Sequence, residues 1–412
     1  MSSKTTLEIG SQYFAEIGKI THGGHFLTHI EGCVVFVRGA MTGEQAQVLI
    51  THKRQKVYLG VAQIILKGSP DRVEPSCSAS SVCGGCDFQF VSSQHQLGLK
   101  TLVLKDSLHR FAQLDSRRVD ELVGAGVLPI GDSSGLYWRG RARFHWNGST
   151  WQMHEYRSDR MVETMNCTTI TSQIGEKLAQ LERAGGLEPG EYSFAQGAVG
   201  VSVVGPNGFE SGPETVVREF AGIEWETGPR DFWQSNAALL PLVYASLQSS
   251  GAFARGGHWW DLYAGAGVFT EAIARNVGSE GTVTSVEGNR STSEAARKKF
   301  AHYSEGVGAS IIVVTSSVEQ FVANVRNTHS TLDGVFLDPP RSGAGLAVCT
   351  ELRELGPRWI LYLACDPVAL ARDARELCSD GTFELISLTA WDAFPMTHHF
   401  ESLAVFRNTK VS

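Results

Sequence analysis

The stretch WWDLYAGAG, residues 259–267, sets the architecture: an apolar strand-like run carrying one acidic residue, Asp261, ends on Gly265 and Gly267 with a single residue between them. Small residues straight after a buried strand let the backbone approach a ligand or the next helix closely. The same grammar recurs down the chain. GTVTSVEGN (281–289), SIIVVTSS (310–317), LDGVFLDPP (332–340) and RWILYLACDP (358–367) read as strands, and TEAIARNV (270–277), SEAARKKFAHY (293–303) and VALARDARELC (368–378) read as helices between them. This alternation predicts a parallel sheet covered by helices on both faces. The closing run ESLAVFRN (401–408) alternates and fits an antiparallel strand.

Upstream the pattern differs. QYFAEIGKI (12–20), GCVVFVRGA (32–40), EQAQVLITHK (44–53) and VYLGVAQIIL (57–66) are short alternating runs broken by glycines, which predict a small β-barrel of about five strands. SPDRVEPSC (69–77) marks a boundary. Leu97, Leu99, Leu102, Leu104 and Leu108 are compatible with a helix over 94–114, and RARFHW (141–146), VGVSVV (199–204) and TVVREFAGIEW (215–225), with one helix-like run IGEKLAQLERA (174–184), predict a mainly β middle domain. The expected division is a barrel over 1–68, a middle domain over 69–230 and an α/β domain over 231–412, in keeping with 412 residues at roughly 150 per domain.

Composition narrows the classes. With 42% apolar and 19% charged residues, and no apolar run near the roughly 18 residues of a membrane span, a soluble chain with no membrane partner is expected. The N-terminal segment carries no apolar export signal, so a cytoplasmic location is expected. A net charge of −7 argues against a nonspecific nucleic-acid coat. Local basic groups remain, among them Lys53, Arg54 and Lys56, and Arg139, Arg141 and Arg143, whose ordinary reading is a solvated face.

Four positions carry candidate chemistry at strand ends of the α/β domain. Glu287, about 20 residues after the glycine turn, can accept ribose hydroxyls, but Thr270 stands where a dinucleotide fingerprint has its third glycine. S-adenosylmethionine, which has no pyrophosphate, is therefore the first choice, with a dinucleotide or a glycine turn serving packing alone as alternatives. Asp338-Pro339-Pro340-Arg341 makes a rigid turn that aims Asp338 at the ligand edge. Cys365 ends the next strand, and Glu401 comes after the segment Asp392–Phe400. A thiolate, a carboxylate and a methyl donor define a reaction on uracil. C5 is too poor a nucleophile until a thiolate adds at C6, and a base must afterwards remove the C5 proton.

A second constellation is Cys77-x5-Cys83-Gly-Gly-Cys86, with Cys167 far downstream. In a cytosolic chain this points to metal ligation rather than a disulfide, an iron–sulfur cluster before zinc, with unrelated thiols as the third reading. His22, His25 and His29 read as loop residues, and His398 and His399 as hydrogen-bonding or packing groups. Cys33, Cys349 and Cys378 fall in strand or helix patterns and are expected to be buried.

With these residues in place, the chain resembles the RNA (uracil-5-)-methyltransferases, in the branch that carries a [4Fe-4S] cluster. The resemblance implies that residues 1–68 form a TRAM-like RNA-binding barrel and that Cys77, Cys83, Cys86 and Cys167 hold the cluster. Phe232-Trp233-Gln234-Ser235-Asn236 resembles the family's FxQxN segment, which implies Gln234 at the pocket, and Tyr263, Glu287 and Asp338 stand at cofactor-binding positions of a Rossmann-like class I domain. Ala-Cys365-Asp-Pro, the pair Arg372-Asp373, and DxFPxTxHxxE ending at Glu401 resemble the nucleophile and base motifs. Val268, Ala364 and Asp366 depart from common Asn, Ser and Asn. Ser317 matches a position near the adenine. The resemblance implies a monomer that makes 5-methyluridine in RNA, with 23S rRNA preferred over tRNA because cluster-bearing members act mostly on large-subunit rRNA. The alternatives are a tRNA enzyme and a noncatalytic RNA-binding protein; survival of both Cys365 and Glu401 favours an enzyme.

Overall fold

The computed structural model describes residues 6–132, 134–164, 166–301, 308–325 and 332–411. β1 (Gln12–Glu16), β2 (Phe26–Ile30), β3 (Cys33–Arg38), β4 (Gln45–Arg54) and β5 (Val57–Lys67) make one sheet in the order β1-β4-β5-β3-β2. Its two outer strands meet just past β1, where Gly18 N–H donates to the Leu27 carbonyl at 2.9 Å and Leu27 N–H to the Lys19 carbonyl at 2.8 Å. Val35, Val37, Val48 and Ile50 are fully buried on the inner face, the period of two that the sequence shows. His29 sits at an exposed position of β2 rather than in a loop.

The cysteine-bearing segment comes next, then α1 (Ser93–Ser107), a π-helical turn (Leu108–Ala112), α2 (Ser116–Val123) and β6 (Val127–Leu128). The sequence reading groups these with the middle domain. The structure instead packs Leu104, Leu108, Val119, Leu122 and Val127 into the core of the C-terminal sheet. An apolar face shows that an element is covered and leaves its partner unspecified.

β7 (Arg141–Trp146), β8 (Trp151–His154), β9 (Met161–Glu163), α3 (Ser172–Ala184), β10 (Gly190–Gln196), β11 (Val201–Gly205) and β12 (Gly208–Ser211) build the middle unit, an antiparallel sheet ordered β12-β11-β10-β7-β8-β9. Ile174, Leu178 and Leu181 of α3 seal its core with Phe144, Trp151 and Tyr192. β13 (Val216–Phe220) and β14 (Ile223–Thr227) form a separate hairpin.

The C-terminal part runs α4 (Leu239–Ser249), β15 (His258–Leu262), α5 (Val268–Val277), β16 (Thr282–Glu287), α6 (Arg290–Phe300), β17 (Ser310–Thr315), α7 (Val318–Val325), β18 (Gly334–Leu337), α8 (Gly345–Leu355), β19 (Trp359–Ala364), α9 (Pro367–Leu377), β20 (Phe383–Trp391) and β21 (Glu401–Asn408). His302 and Tyr303, at the end of one helix-like run, lie outside the described residues. The eight-stranded sheet is ordered β17-β16-β15-β18-β19-β21-β20-β6 and is parallel from β17 to β19. Trp260, Leu262, Val335 and Leu337 pack on one face, Trp259, Phe336, Leu361 and Leu363 on the other. Strand order reverses between β15 and β18, and such a switch point leaves a crevice at the carboxyl ends of the strands. β21 is antiparallel to β19, with Ala364 paired to Ser402, so Glu401 starts its strand beside the residue just past β19, Cys365. Among the described residues no helix is long and apolar enough to cross a membrane.

Candidate active site

The turn after β15 is shaped by backbone that ordinary residues avoid. Tyr263 has φ +63°, and Gly265 and Gly267 have φ +56° and +89°. A Cβ on Gly267 would meet the Phe300 ring at 2.5 Å, whereas one on Gly265 would meet nothing within 4 Å. Gly267 closes helix against turn, and Gly265 borders open space that a ligand can fill. Gly265 N–H donates to Glu287 Oε2 at 2.8 Å and Asn289 N–H to Oε1 at 2.6 Å, which fixes the carboxylate at the end of β16. Thr270, in place of a third glycine, donates its hydroxyl to the fully buried Asp261 beneath the turn. Burial, reinforced by the charges of Asp338 and Glu287, raises Asp261 to about 7 against the opposing Thr270 bond. Ser317 spends its hydroxyl accepting from Gln320 N–H at the start of α7.

Asp338, partly open to the crevice, is raised to about 7 by burial. Glu401 is 3% exposed, its Oε2 has no hydrogen-bond partner, and burial, with Asp338 adding, pushes its carboxyl well above the usual range while Arg341 opposes. The half-buried Cys365 thiol is pushed up to about 12, first by burial and then by Glu401 and Asp338, with Arg341 again the opposing charge. Thiol, base candidate and acidic cofactor candidate thus act on one another. Asp366, the departure beside the nucleophile candidate, caps α9 by accepting from Val368 and Ala369 N–H at 3.0 and 2.9 Å. Its other oxygen lies 2.8 Å from His22 Nε2 on the loop between β1 and β2, so His22 reaches well beyond its own loop. Asp373 accepts from the Tyr362 hydroxyl at 2.8 Å and from Gly345 N–H at 3.1 Å, and Arg372 donates to the Ser342 carbonyl; the pair braces the turn after Arg341.

In front of this edge lies a cleft of about 1090 Å³ between the β7, β8 and β10 face and the segment before Glu401. It is lined by Arg139, Arg141, Arg143, Arg157, Arg230 and Arg341, by Trp138, Tyr156 and Phe394, and by the carboxylates Asp87, Glu155 and Glu191. Half-buried Gln234 stands between Trp233, whose carbonyl accepts from Arg141 at 3.5 Å, and Ser235, which lines the cleft. Asn236 ties the same segment to the Ala393 carbonyl at 3.2 Å.

All eight cysteines are free thiols. Cys77, Cys83 and Cys86 are each raised first by burial, and each is raised further by the charge of Cys167. Gly85 N–H points at Cys83 Sγ at 3.3 Å and Gln89 Nε2 at Cys86 Sγ at 3.5 Å, while Arg38 donates to the carbonyls of Ser81, Cys83 and Cys86. Among the described residues no three of these or other ligand side chains stand close enough to grip a single metal ion. Cys349 is buried, and Cys33 and Cys378 are half-buried.

Sequence reasoning named His398 as a hydrogen-bonding or packing group and read His25 as a loop residue, but it missed Asp87, Tyr156 and Lys100, which join these sites. Asp87 receives His398 Nδ1 at 2.6 Å and His398 N–H at 3.1 Å, His25 Nε2 lies 2.9 Å from the Tyr156 hydroxyl, and Lys100 in α1 pairs with Asp392. Their only signal in the sequence is a charged or polar residue inside an apolar pattern.

A doubly wound sheet with a glycine turn and carboxylates at its switch point, and a thiol at the end of the neighbouring strand, fits the fold of the methyltransferase class of enzymes. A family profile described as tRNA (Uracil-5-)-methyltransferase matches residues 231–409. An RNA methyltransferase of Streptomyces avermitilis is 30% identical over 96% of this chain and 98% of its own. A 23S rRNA (uracil(1939)-C(5))-methyltransferase of Methylococcus capsulatus is 29% identical over 95% and 96%. The solved tRNA (uracil-54, C5)-methyltransferase of Pyrococcus abyssi, in complex with S-adenosyl-L-homocysteine, superposes with a TM-score of 0.69 over 95% of this chain and 99% of that one, at 18% identity, a likeness of fold. The chain belongs to the RNA (uracil-5-)-methyltransferase family, and the protein is an enzyme.

Proposed function

We propose that this enzyme methylates C5 of a uridine in 23S rRNA, through a covalent bond between Cys365 Sγ and C6 of the base. The observation that carries the reading is the β19–β21 register, which sets Cys365 and Glu401 side by side at the crevice. The open space at Gly265, the fixed Glu287 carboxylate and the part-open Asp338 suit S-adenosylmethionine, with Tyr263 and Gln234 beside it. When bound, S-adenosylmethionine supplies an electrophilic methyl group.

At rest the Cys365 thiol carries its proton at neutral pH, because burial and the nearby carboxylates penalise the thiolate, and burial likewise pushes the Glu401 carboxyl upward. Cys365 releases its proton to solvent as the S–C6 bond forms, and the C5–C6 π pair moves onto the ring as an enolate, making C5 nucleophilic. Arg341, the cation that lowers both groups, favours the thiolate and the ionised carboxylate. Once C5 carries its methyl group, Glu401, ionised beside Arg341 after losing its own proton to solvent, takes the C5 proton, the C5–C6 double bond re-forms and the S–C6 bond breaks, returning Cys365 as a thiolate that is reprotonated.

The arginine-lined cleft is the route for the RNA, its guanidinium groups meeting phosphates and its aromatic rings stacking on bases. Residues 1–68 serve as the TRAM-like RNA-binding barrel, the cysteine-bearing segment with the β7–β12 unit as the cluster-bearing middle domain, and 231–412, with α1, α2 and β6 packed on it, as the catalytic domain. Cys77, Cys83, Cys86 and Cys167 hold a structural [4Fe-4S] cluster. The influence of Cys167 on each of the other three thiols supports this, and a cluster spaces its thiolates more widely than one ion does. Ribosomal RNA is preferred over tRNA because the 23S-directed relatives are 29% and 28% identical along nearly the whole chain, against 18% for the tRNA-directed structure. The test is to map 5-methyluridine in rRNA and tRNA of a deletion strain against wild type. One 23S position losing its methyl group is the expected result; loss confined to tRNA overturns the substrate, and no loss overturns the activity.

A further inference from the structure

The segment Asp392–Phe400, which delivers Glu401 to the crevice, is irregular, and residues nearly 300 positions away hold it. Lys100, in the middle of α1, is 1% exposed. Its Nζ donates to Asp392 Oδ1 at 2.5 Å and to the Phe394 carbonyl at 3.2 Å. One helical turn earlier Gln96, also 1% exposed, accepts from Met396 N–H at 3.0 Å through Oε1, while its Nε2 donates to the Val91 carbonyl at 2.9 Å and reaches Met396 Sδ at 3.3 Å. Met396 itself has φ +65°, a conformation that a non-glycine residue keeps only when its surroundings impose it. The N–H groups of Asp87 and Phe88 cap its carbonyl at 2.8 and 3.0 Å.

A buried ion pair is on average no better for stability than an apolar pair of the same shape. Its distinctive contribution is geometry, and here one ammonium grips two points of the segment leading to Glu401. We propose that Lys100 and Gln96 are positioning residues for Glu401, holding the Asp392–Phe400 segment so that the carboxylate meets the C5 proton. The inference rests on the assignment of Glu401 as the base.

The test uses the full-length protein with RNA and labelled methyl donor, read by denaturing electrophoresis and steady-state kinetics. Lys100→Met/Asp392→Leu removes both charges together and leaves no carboxylate stranded. It should lower kcat roughly 10- to 100-fold, the scale of a misplaced catalytic group, with KM for RNA within about twofold. A methylated covalent protein–RNA adduct should accumulate, because the late proton removal is the step that slows. Gln96→Leu, which disturbs no charge, should show the same signature at smaller amplitude, and it decides the question if circular dichroism finds the double variant unfolded. Wild-type kcat in folded variants, or a fall in kcat with no adduct, overturns the proposal. Glu401→Gln runs alongside: if it too yields no adduct, the base assignment has failed, whereas an adduct with Glu401→Gln alone sinks only the positioning role.

Discussion

Cys86 and Cys365 are both half-buried thiols that burial pushes up to about 12, but the company they keep differs in kind. Around Cys86 the favourable partners are the Gln89 amide and the Arg139 charge, and the unfavourable ones are two other thiols, Cys167 and Cys83. Around Cys365 the unfavourable partners are carboxylates, Glu401, Asp338 and Asp366, with Arg341 as the opposing cation. Thiols that raise one another are relieved together by one shared metal centre. A thiol raised by carboxylates stays protonated, and so protected from oxidation, until its substrate arrives. The same residue type thus sits among other thiols in one region and among carboxylates in the other, the difference on which the proposed roles of ligand and nucleophile rest.

The most severe test of this contrast removes each thiol in turn. Cys365→Ala should reduce methyl transfer and adduct formation to background, while Cys86→Ala, assayed as folded protein, should still form adduct; the reverse pattern would exchange the two roles. Next in size is metal content. Anaerobically purified protein should carry about four irons per chain, and Cys167→Ser should lose most of them. Stoichiometric zinc without iron would leave the thiols as ligands of a different centre.

A smaller effect concerns the cofactor crevice. Glu287→Ala should weaken S-adenosylmethionine binding by roughly 1.5 to 3 kcal/mol, the loss of charge-assisted hydrogen bonds, as read by calorimetry. Unchanged affinity would move the ribose elsewhere. The smallest concerns Asp338, whose folded value of about 7 lies above its ordinary 3.8. A raised carboxyl favours the folded state below about pH 4, and that contribution is lost as pH rises through 7. Asp338→Asn should therefore be more stable than wild type at pH 8, by about 1 to 2 kcal/mol after discounting its partial exposure, and not at pH 4. Equal stability offsets at both pH values, in thermal denaturation, would mean that the carboxyl is not raised.

Much of the catalytic region was legible because its signals are local. A glycine turn, a proline pair and a cysteine at consecutive strand ends announce one sheet edge, since parallel strands put all their carboxyl ends on the same side. Alternation likewise separated Trp259 from Trp260 onto opposite faces. The middle region was less legible. Its β7, β10 and α3 match the alternating and helical runs, but nothing in the order of residues says that the face of this sheet, with its arginines, looks onto Arg341 and the segment Phe394–His399 rather than onto solvent.

The parallel sheet, the candidate thiol at a strand end and the run Cys77, Cys83, Cys86 could all be picked out from the order of residues alone. Each rests on periodicity or on spacing within a few residues of a strand end or turn. It took the folded chain to assign α1 and β6 to the C-terminal core, to pair Lys100 with Asp392 across 292 positions and to bring His22 to Asp366 across 344. An apolar pattern states that a face must be covered without naming what covers it. A buried polar group must likewise find a partner, but the partner is chosen by proximity in space, and the shifted proton affinities of Asp261, Asp338, Cys365 and Glu401 exist only once that packing has excluded water.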